Sequence, residues 1–311
     1  MAPHFPLALL LLLVICTGAR GATFTLVNRC EYTVWPGVLS NAGSPKLSTT
    51  GFELAKGSSR SLQAPTGWSG RFWGRTGCEF DGSGKGSCRT GDCGSNQVEC
   101  NGAGAAPPAT LAEFTLGGAG GQDFYDVSLV DGYNLPMVVA TSGGTGPCGA
   151  TGCTVDLNLR CPAELRVEEA GGDGKGAACR SACEAFGKPE FCCSGAYANP
   201  NTCKPSSYAN IFKSACPRAY SYAYDDATST FTCANADYTI TFCPNFASQK
   251  SSKDSPPKAP TGVLLSDEGW LASLATAAAD SASSSCRAIP WAGLLLMAAS
   301  SIITVAVTVF L

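Results

Sequence analysis

The most informative stretch of the sequence is a run of glycine, cysteine and small polar residues that reads GKGSCRTGDC at residues 84–93 and continues to Cys100. The full chain has 18 cysteines. Cys16 lies in an N-terminal apolar segment, and Cys286 lies beside an apolar C-terminal tail. Without these two, sixteen remain, from Cys30 to Cys243. In a secreted chain, an even number of closely spaced cysteines indicates a disulfide framework.

The N-terminus is typical of a cleavable secretory signal. A leucine-rich run at residues 7–15 is followed by the small residues Ala19, Gly21 and Ala22, which match the apolar segment and cleavage site of such signals. We predict cleavage after Gly21, so that residues 1–21 are removed and the mature chain begins at Ala22. The protein is therefore expected to be secreted.

The C-terminus carries a second processing pattern. Residues 247–281 form a stalk rich in Ser, Pro and Ala, and an uncharged apolar run from Trp291 to Leu311 has no basic residue after it. Small residues, a short spacer and a terminal apolar run are typical of a GPI-attachment signal. We predict lipid attachment at Asp280 or Ser281 and removal of residues 282–311, which places the protein on the extracellular face of the plasma membrane or in the cell wall and apoplast. The alternative is a membrane-spanning tail, although basic residues normally follow such a span.

Histidine is absent from the predicted mature chain, because His4 lies within the signal. This excludes Ser-His-Asp and Cys-His catalysis and imidazole metal ligands. We expect no metal and no cofactor, and any catalysis must use carboxylates.

The net charge of −3 becomes about −5 when Arg20 and Arg287 are removed with the processed segments. The charge of such a mildly acidic chain does not favour binding of nucleic acid.

Between residues 22 and 246 the sequence predicts a mainly β fold. Short alternating runs such as residues 23–27, 113–116 and 238–242 are separated by glycine-rich turns, a pattern typical of strands. From about residue 148 to residue 216 the cysteines become dense and strand signals scarce, which predicts a loop-rich lobe held by covalent closure. We expect one β-sandwich with this disulfide-rich lobe as an appendage, and a monomer.

Within the lobe, residues 176–186 predict a short helix that carries Cys179 and Cys183 on one face. The adjacent Cys192 and Cys193 must reach different partners, because a bridge between neighbouring residues is strained. Cysteine spacing alone leaves the rest of the connectivity open.

The run at residues 84–100 resembles the signature of the thaumatin-like family, the plant pathogenesis-related class 5 proteins. Further matching blocks are Val27-Asn28-Arg29-Cys30, Thr33-Val34-Trp35-Pro36, Thr110-Leu111-Ala112-Glu113-Phe114, Asp123-Phe124-Tyr125-Asp126-Val127-Ser128 and Asp226-Ala227-Thr228-Ser229-Thr230-Phe231-Thr232-Cys233. The resemblance covers Ala22 to about Pro244. It implies a β-sandwich and a disulfide-rich lobe of loops and helix, with an acidic cleft between them.

The family's sixteen-cysteine pattern implies a complete set of bridges. Carried onto this sequence, the pairs are Cys30 with Cys243, Cys78 with Cys88, Cys93 with Cys100, Cys148 with Cys233, Cys153 with Cys216, Cys161 with Cys179, Cys183 with Cys192, and Cys193 with Cys203. This set meets the independent requirement that Cys192 and Cys193 have different partners.

The resemblance also implies a set of cleft residues. In antifungal members the cleft is lined by one Arg, one Glu and three Asp, and these roles fall here on Arg71, Glu113, Asp126, Asp131 and Asp226, with Asp225 as a competitor for the last. Four tryptophan and tyrosine side chains, Trp35, Trp68, Trp73 and Tyr133, are left out of the site, because such rings in a β-sandwich usually pack inside it.

Alternation along residues 123–130 supports the placement of the acids. Asp126 shares a strand face with Phe124, Ser128 and Val130, whereas Tyr125, Val127 and Leu129 share the other. Asp131 can reach the same cleft only from a turn, which Asp131-Gly132 favours.

Paired carboxylates suit glycoside hydrolysis, in which one acid protonates the leaving oxygen and the other acts as base or nucleophile. We take Glu113 as the acid and Asp126 as the base, while the same acids could simply line a sugar-binding groove. The resulting hypothesis is a plant defence protein that binds fungal β-1,3-glucan, or another wall polysaccharide, with weak hydrolysis left open. The alternatives are a genuine endo-β-1,3-glucanase and an inhibitor or receptor-like ectodomain that binds a protein through the cysteine-rich lobe.

Overall fold

The structure, a computed structural model, describes residues 21–168 and 177–244. Its strands are β1 Ala22–Asn28, β2 Trp35–Ser40, β3 Ser59–Ala64, β4 Ser69–Arg75, β5 Glu79–Phe80, β6 Gly86–Ser87, β7 Leu111–Thr115, β8 Asp123–Ser128, β9 Met137–Thr145, β10 Thr151–Cys153, β11 Arg166–Val167, β12 Ala178–Cys179 and β13 Phe231–Phe242. The α-helices of this part of the chain are short: α1 Ala182–Phe186, α2 Pro189–Cys192, α3 Ser207–Ala215 and α4 Asp226–Ser229. The mainly β prediction is confirmed.

The longer strands form one sheet that curls back on itself. Its strand order is β10-β9-β13-β8-β7-β4-β2, and β1 joins it by pairing with β13 in parallel and with β3 in antiparallel. Strand β13 explains the curl, because residues 231–233 pair with β8 whereas residues 234–242 pair with β9. One long strand thus belongs to both layers of the sandwich.

The core between the layers is built largely from aromatic rings. Phe24 of β1 is fully buried, and its ring centroid lies 4.8 Å from that of Phe72 and 4.7 Å from that of Phe114 in the opposite layer. Such contacts contribute about 0.5–1.5 kcal/mol beyond area burial. Trp68 and Trp73 are also fully buried, as expected for rings that pack instead of binding sugar.

Eight disulfides join the described cysteines in the same pairs that the family resemblance implies. Cys192 and Cys193 reach Cys183 and Cys203. The bridge between the first and last of the sixteen cysteines spans 213 residues of sequence. In the chain-entropy model, a bridge that closes a long loop restricts the unfolded chain most.

The helix predicted at residues 176–186 is wrong in its first half. Ala178–Cys179 form β12, which pairs with Arg166–Val167. Helix α1 begins only after Ser181, whose side chain accepts a hydrogen bond from a backbone N–H of the first turn. Serine is a preferred N-cap residue, so the start of the helix was encoded locally, whereas the strand before it depends on a partner from another segment.

Several predicted features lie outside the described residues. These are the signal peptide up to residue 20, the stalk, the apolar tail and the attachment residue, Asp280 or Ser281. Among the residues that the structure does describe, no helix is long and apolar enough to cross a membrane.

Candidate functional site

Three charged side chains form a row across neighbouring strands of the sheet. The register pairs Arg71 of β4 with Glu113 of β7, and Glu113 with Asp126 of β8. Residues directly opposite each other in antiparallel strands project from the same face, with Cβ atoms about 4.5–5.5 Å apart. Their apolar neighbours Phe72 and Phe114 turn the other way and are buried in the core. The sheet therefore presents one cation and two acids together on its outer face.

The row contains an ion pair and two unsatisfied atoms. Arg71 Nη1 lies 3.5 Å from Glu113 Oε1, and each of the two side chains is 33% exposed. Arg71 Nε and Asp126 Oδ1 are buried and have no hydrogen-bond partner among the described residues. Because buried polar atoms are normally hydrogen-bonded, this donor and this acceptor mark a place where a polar ligand can bind.

Asp131 reaches the row from the turn that was expected for it. The N–H of Gly132 donates to the carbonyl of Leu129 at 3.1 Å, which closes a turn around Asp131. Gly132 has a φ of +86°, and a Cβ atom there would lie 2.8 Å from the carbonyl oxygen of Cys179. Only glycine tolerates both conditions, so this turn is tied closely to the disulfide-rich lobe.

The geometry selects Asp226 over Asp225 as the last acid of the cleft. Asp226 opens α4 and accepts a hydrogen bond of 2.8 Å from the hydroxyl of Tyr220. Asp225 instead pairs with Lys213 at 2.9 Å and accepts hydrogen bonds from the backbone and hydroxyl of Ser221. Its side chain is only 12% exposed, so Asp225 holds the fold together and does not face the cleft.

The four acids surround one open pocket with a volume of about 300 Å³, which is at the lower end for small-molecule sites. Arg71 adjoins the pocket through its ion pair with Glu113. The structure thus brings all five predicted cleft residues together. Within residues 21–168 and 177–244, no group of three or more His, Cys, Asp or Glu side chains could hold a metal ion. The pocket is lined by Glu113, Asp126, Ser128, Val130, Asp131, Tyr220, Ala223 and Asp226.

The acids of the row affect one another's protonation. Burial raises the pKa of Asp126 to about 8; Glu113 and Asp226 add to the rise, and Arg71 opposes it. Burial also raises the pKa of Glu113, against the lowering effect of Arg71. Two carboxylates side by side do not readily ionise together. At neutral pH Asp126 therefore holds a proton, whereas Arg71 makes ionisation of Glu113 less unfavourable.

Tyr220 is a cleft residue that sequence reasoning missed. Its backbone N–H donates to the carbonyl of Val127, and its carbonyl accepts from the N–H of Leu129, both at 2.9 Å. These two bonds place the tyrosine alongside β8, on the cleft side. The sequence offers little signal for this, because the contact joins segments that are about 90 residues apart and the tyrosine has no charge that would mark it as part of an acidic site.

The chain is similar to known proteins of one family. The model of the thaumatin family matches residues 28–244. Thaumatin-like protein 1 of Arabidopsis thaliana is 68% identical over 235 residues, which cover 73% of this chain and 88% of that protein. Pathogenesis-related thaumatin-like protein 3.5 of Cryptomeria japonica is 61% identical over 241 residues, or 77% and 98% of the two chains. A Prunus avium protein named glucan endo-1,3-beta-glucosidase is 55% identical over 239 residues, or 76% and 97%.

Proposed function

The chain belongs to the thaumatin family, and we propose on that basis that its acidic cleft binds the β-1,3-glucan of fungal cell walls, as part of a plant defence role. The observation that carries the proposal is the row of Arg71, Glu113 and Asp126, with one buried donor and one buried acceptor left without partners. Sugar hydroxyls both donate and accept hydrogen bonds, so a glucan chain can satisfy both atoms at once.

The charge of the cleft favours a neutral polysaccharide. Four acids face one arginine there, so an anionic ligand would be repelled. Hydroxyl groups carry no charge, and their hydrogen bonds to ionised carboxylates are among the stronger ones in proteins. The glucanase name of the 55% identical Prunus avium relative supports the same substrate class.

The pKa shifts of the two acids support a weak hydrolytic activity. The roles are the reverse of those expected from the sequence: Asp126 is the acid and Glu113 is the base. Asp126, whose pKa is raised to about 8, is protonated at neutral pH and is suited to give its proton to the glycosidic oxygen. Glu113, which Arg71 favours in its ionised form, is suited to take a proton from the attacking water. Water oxygen then bonds to the anomeric carbon as the glycosidic bond breaks.

Pull-down on insoluble β-1,3-glucan, together with released reducing sugar, tests the proposal on protein from a secretory host. A variant with Glu113→Gln and Asp126→Asn should bind at least about 10-fold more weakly, because it replaces both carboxyl groups of the row that would hydrogen-bond to sugar hydroxyls. The matched control is Glu53→Gln with Glu79→Gln, which replaces two carboxyl groups at exposed positions. We expect the control to bind and release sugar like wild type.

The outcomes separate the candidate functions. Binding without sugar release indicates a glucan-binding protein, whereas release that is lost in Glu113→Gln while binding persists indicates a genuine endo-β-1,3-glucanase. Failure of the folded wild type to bind glucan would overturn the proposal and direct attention to a protein partner of the cysteine-rich lobe.

We also propose that the protein acts at the cell surface, with residues 1–21 as the signal, 22–246 as the thaumatin-like domain, 247–281 as the stalk and 282–311 as a removed anchor signal. Small residues before an apolar, uncharged C-terminus support this division. Treating cells that express the full chain with a phosphatidylinositol-specific phospholipase should release the protein into the medium. Retention on treated cells would favour a membrane-spanning tail.

A further inference from the structure

The hydroxyl of Tyr220 lies at the centre of a short hydrogen-bond chain in the cleft. It donates to Asp226 Oδ1 at 2.8 Å, and its oxygen also bonds to the hydroxyl of Thr230. A phenol has one proton. Because that proton is given to the carboxylate, Thr230 must be the donor of the second bond, and the chain of donors runs from Thr230 through Tyr220 and ends on Asp226.

Both ends of this arrangement are fixed to rigid parts of the fold. Tyr220 is held against β8 by two backbone hydrogen bonds that flank Ser128, and Ser128 is two residues along the same strand from Asp126. The start of α4, where Asp226 lies, is held by the ion pair of the preceding residue with Lys213. The tyrosine hydroxyl is therefore placed to control where the Asp226 carboxylate points.

The position of the Asp226 carboxylate affects the protonation of its neighbours. Asp226 raises the pKa of Asp126, as Glu113 does, and Arg71 opposes both. On the same segment, Tyr222 has a raised pKa, chiefly because of burial and then because of Asp225 and Asp226. Asp126 and Asp226 line the same pocket, so ionisation of Asp126 would place two negative charges close together. A donor that fixes the Asp226 carboxylate in the pocket therefore makes loss of the Asp126 proton more unfavourable.

We propose that Tyr220 is a positioning residue of the acidic cleft, which holds the Asp226 carboxylate toward Asp126, so that loss of the Asp126 proton would place two negative charges in the same small cleft. The consequence for catalysis rests on the proposed function, because this is the proton that would pass to the glycosidic oxygen. The protonation of Asp126 itself is a property of the free protein and can be measured without any sugar.

The test is a titration of the Asp126 carboxyl carbon by NMR in the purified, sugar-free protein. Tyr220→Phe, which keeps the ring and removes only the hydroxyl, should lower the pKa of Asp126 below its wild-type value of about 8, because Asp226 contributes to the rise. Asp226→Asn should lower it at least as much. Combining the two changes should add nothing to Asp226→Asn alone, because the tyrosine acts through that carboxylate.

Two further variants complete the set. Tyr222→Phe is the matched control, since its hydroxyl makes no hydrogen bond to a side chain or carbonyl that the structure describes, and it should leave the titration of Asp126 unchanged. Thr230→Val removes the donor to the phenol oxygen and should shift the pKa of Asp126 in the same direction by a smaller amount, which keeps the test decisive if Tyr220→Phe fails to fold.

The inference is overturned if folded Tyr220→Phe titrates like wild type, or if its shift adds fully to that of Asp226→Asn. In a glucan assay, the alkaline limit of sugar release should move to lower pH in Tyr220→Phe by the same amount as the pKa of Asp126. A wild type that binds no glucan would reject the proposed function but leave the titration result standing, so the two failures are distinguishable.

Discussion

Replacing Asp126 with asparagine is expected to stabilise the protein at neutral pH by about 4 kcal/mol while sugar release from β-1,3-glucan is lost. The carboxyl is partly buried in the same pocket as Glu113 and Asp226 and has a raised pKa of about 8. Ionising it in the folded state is therefore unfavourable, whereas the same group ionises freely in the unfolded chain. Asparagine has a similar shape and no charge, so the variant avoids this cost.

The direction of the pH dependence follows from the raised pKa. A group whose folded pKa lies above its unfolded value binds more protons in the native state, so stability falls as the pH rises between the two values. For Asp126 the window runs from the model-peptide value of 3.8 to about 8. Wild type and Asp126→Asn should differ little at pH 4, and the difference should grow to its full size near pH 8.

Urea unfolding at pH 4, 6 and 8 with the disulfides intact measures this effect. Glu79→Gln, an acid removed from an exposed position, is the control and should change the free energy of unfolding by less than about 0.5 kcal/mol. If Asp126→Asn were destabilising by the same amount at every pH, the carboxyl would have to be ionised and well hydrogen-bonded, and its assignment as the acid would be wrong.

Local patterns were sufficient to predict much of the fold. The alternation of residues 123–130 placed Tyr125 and Val127 inside and Asp126 outside, and burial in the structure agrees. The Asp131-Gly132 turn was likewise predictable, because a glycine with positive φ is a local requirement. The adjacency of Cys192 and Cys193 also predicted that they form disulfides with different partners. The full pairing came only from the family resemblance.

Features that depend on distant segments could not be predicted in this way. The row of Arg71, Glu113 and Asp126 exists because β4, β7 and β8 are neighbours in one sheet, and no local pattern specifies that order. The same limit explains Tyr220 and the misplaced start of α1, since both depend on backbone pairing with another part of the chain. The proposed exchange of roles between Glu113 and Asp126 likewise rests on burial and charge in three dimensions.

One buried cation, Arg75, links the glycine- and cysteine-rich run at residues 84–100 to the sheet through hydrogen bonds. Arg75, the last residue of β4, has no exposed surface. Its Nε donates to the carbonyl of Trp35 at 2.9 Å and its Nη2 to the carbonyl of Val98 at 2.6 Å. Burial lowers the pKa of Arg75 to about 10, and Asp92 and Glu99 oppose the change, so the guanidinium remains charged at neutral pH.

Arg75→Met is expected to reduce the free energy of unfolding by about 3 kcal/mol, because it removes charge-assisted hydrogen bonds and leaves buried carbonyls without donors. Arg75→Lys should recover little of this, since a single ammonium group lacks the planar fork that reaches two segments. The control is Arg60→Met, at an exposed arginine whose guanidinium lies 4.3 Å from the ring centroid of Phe52, and it should cost less than about 1 kcal/mol. Urea unfolding of the three variants, with intact disulfides, measures these differences in the free energy of unfolding.

If Arg75→Met were no more destabilising than the control, the two bridges Cys78–Cys88 and Cys93–Cys100 would be enough to hold residues 84–100 in place. The contacts of Arg75 with this run would then be dispensable.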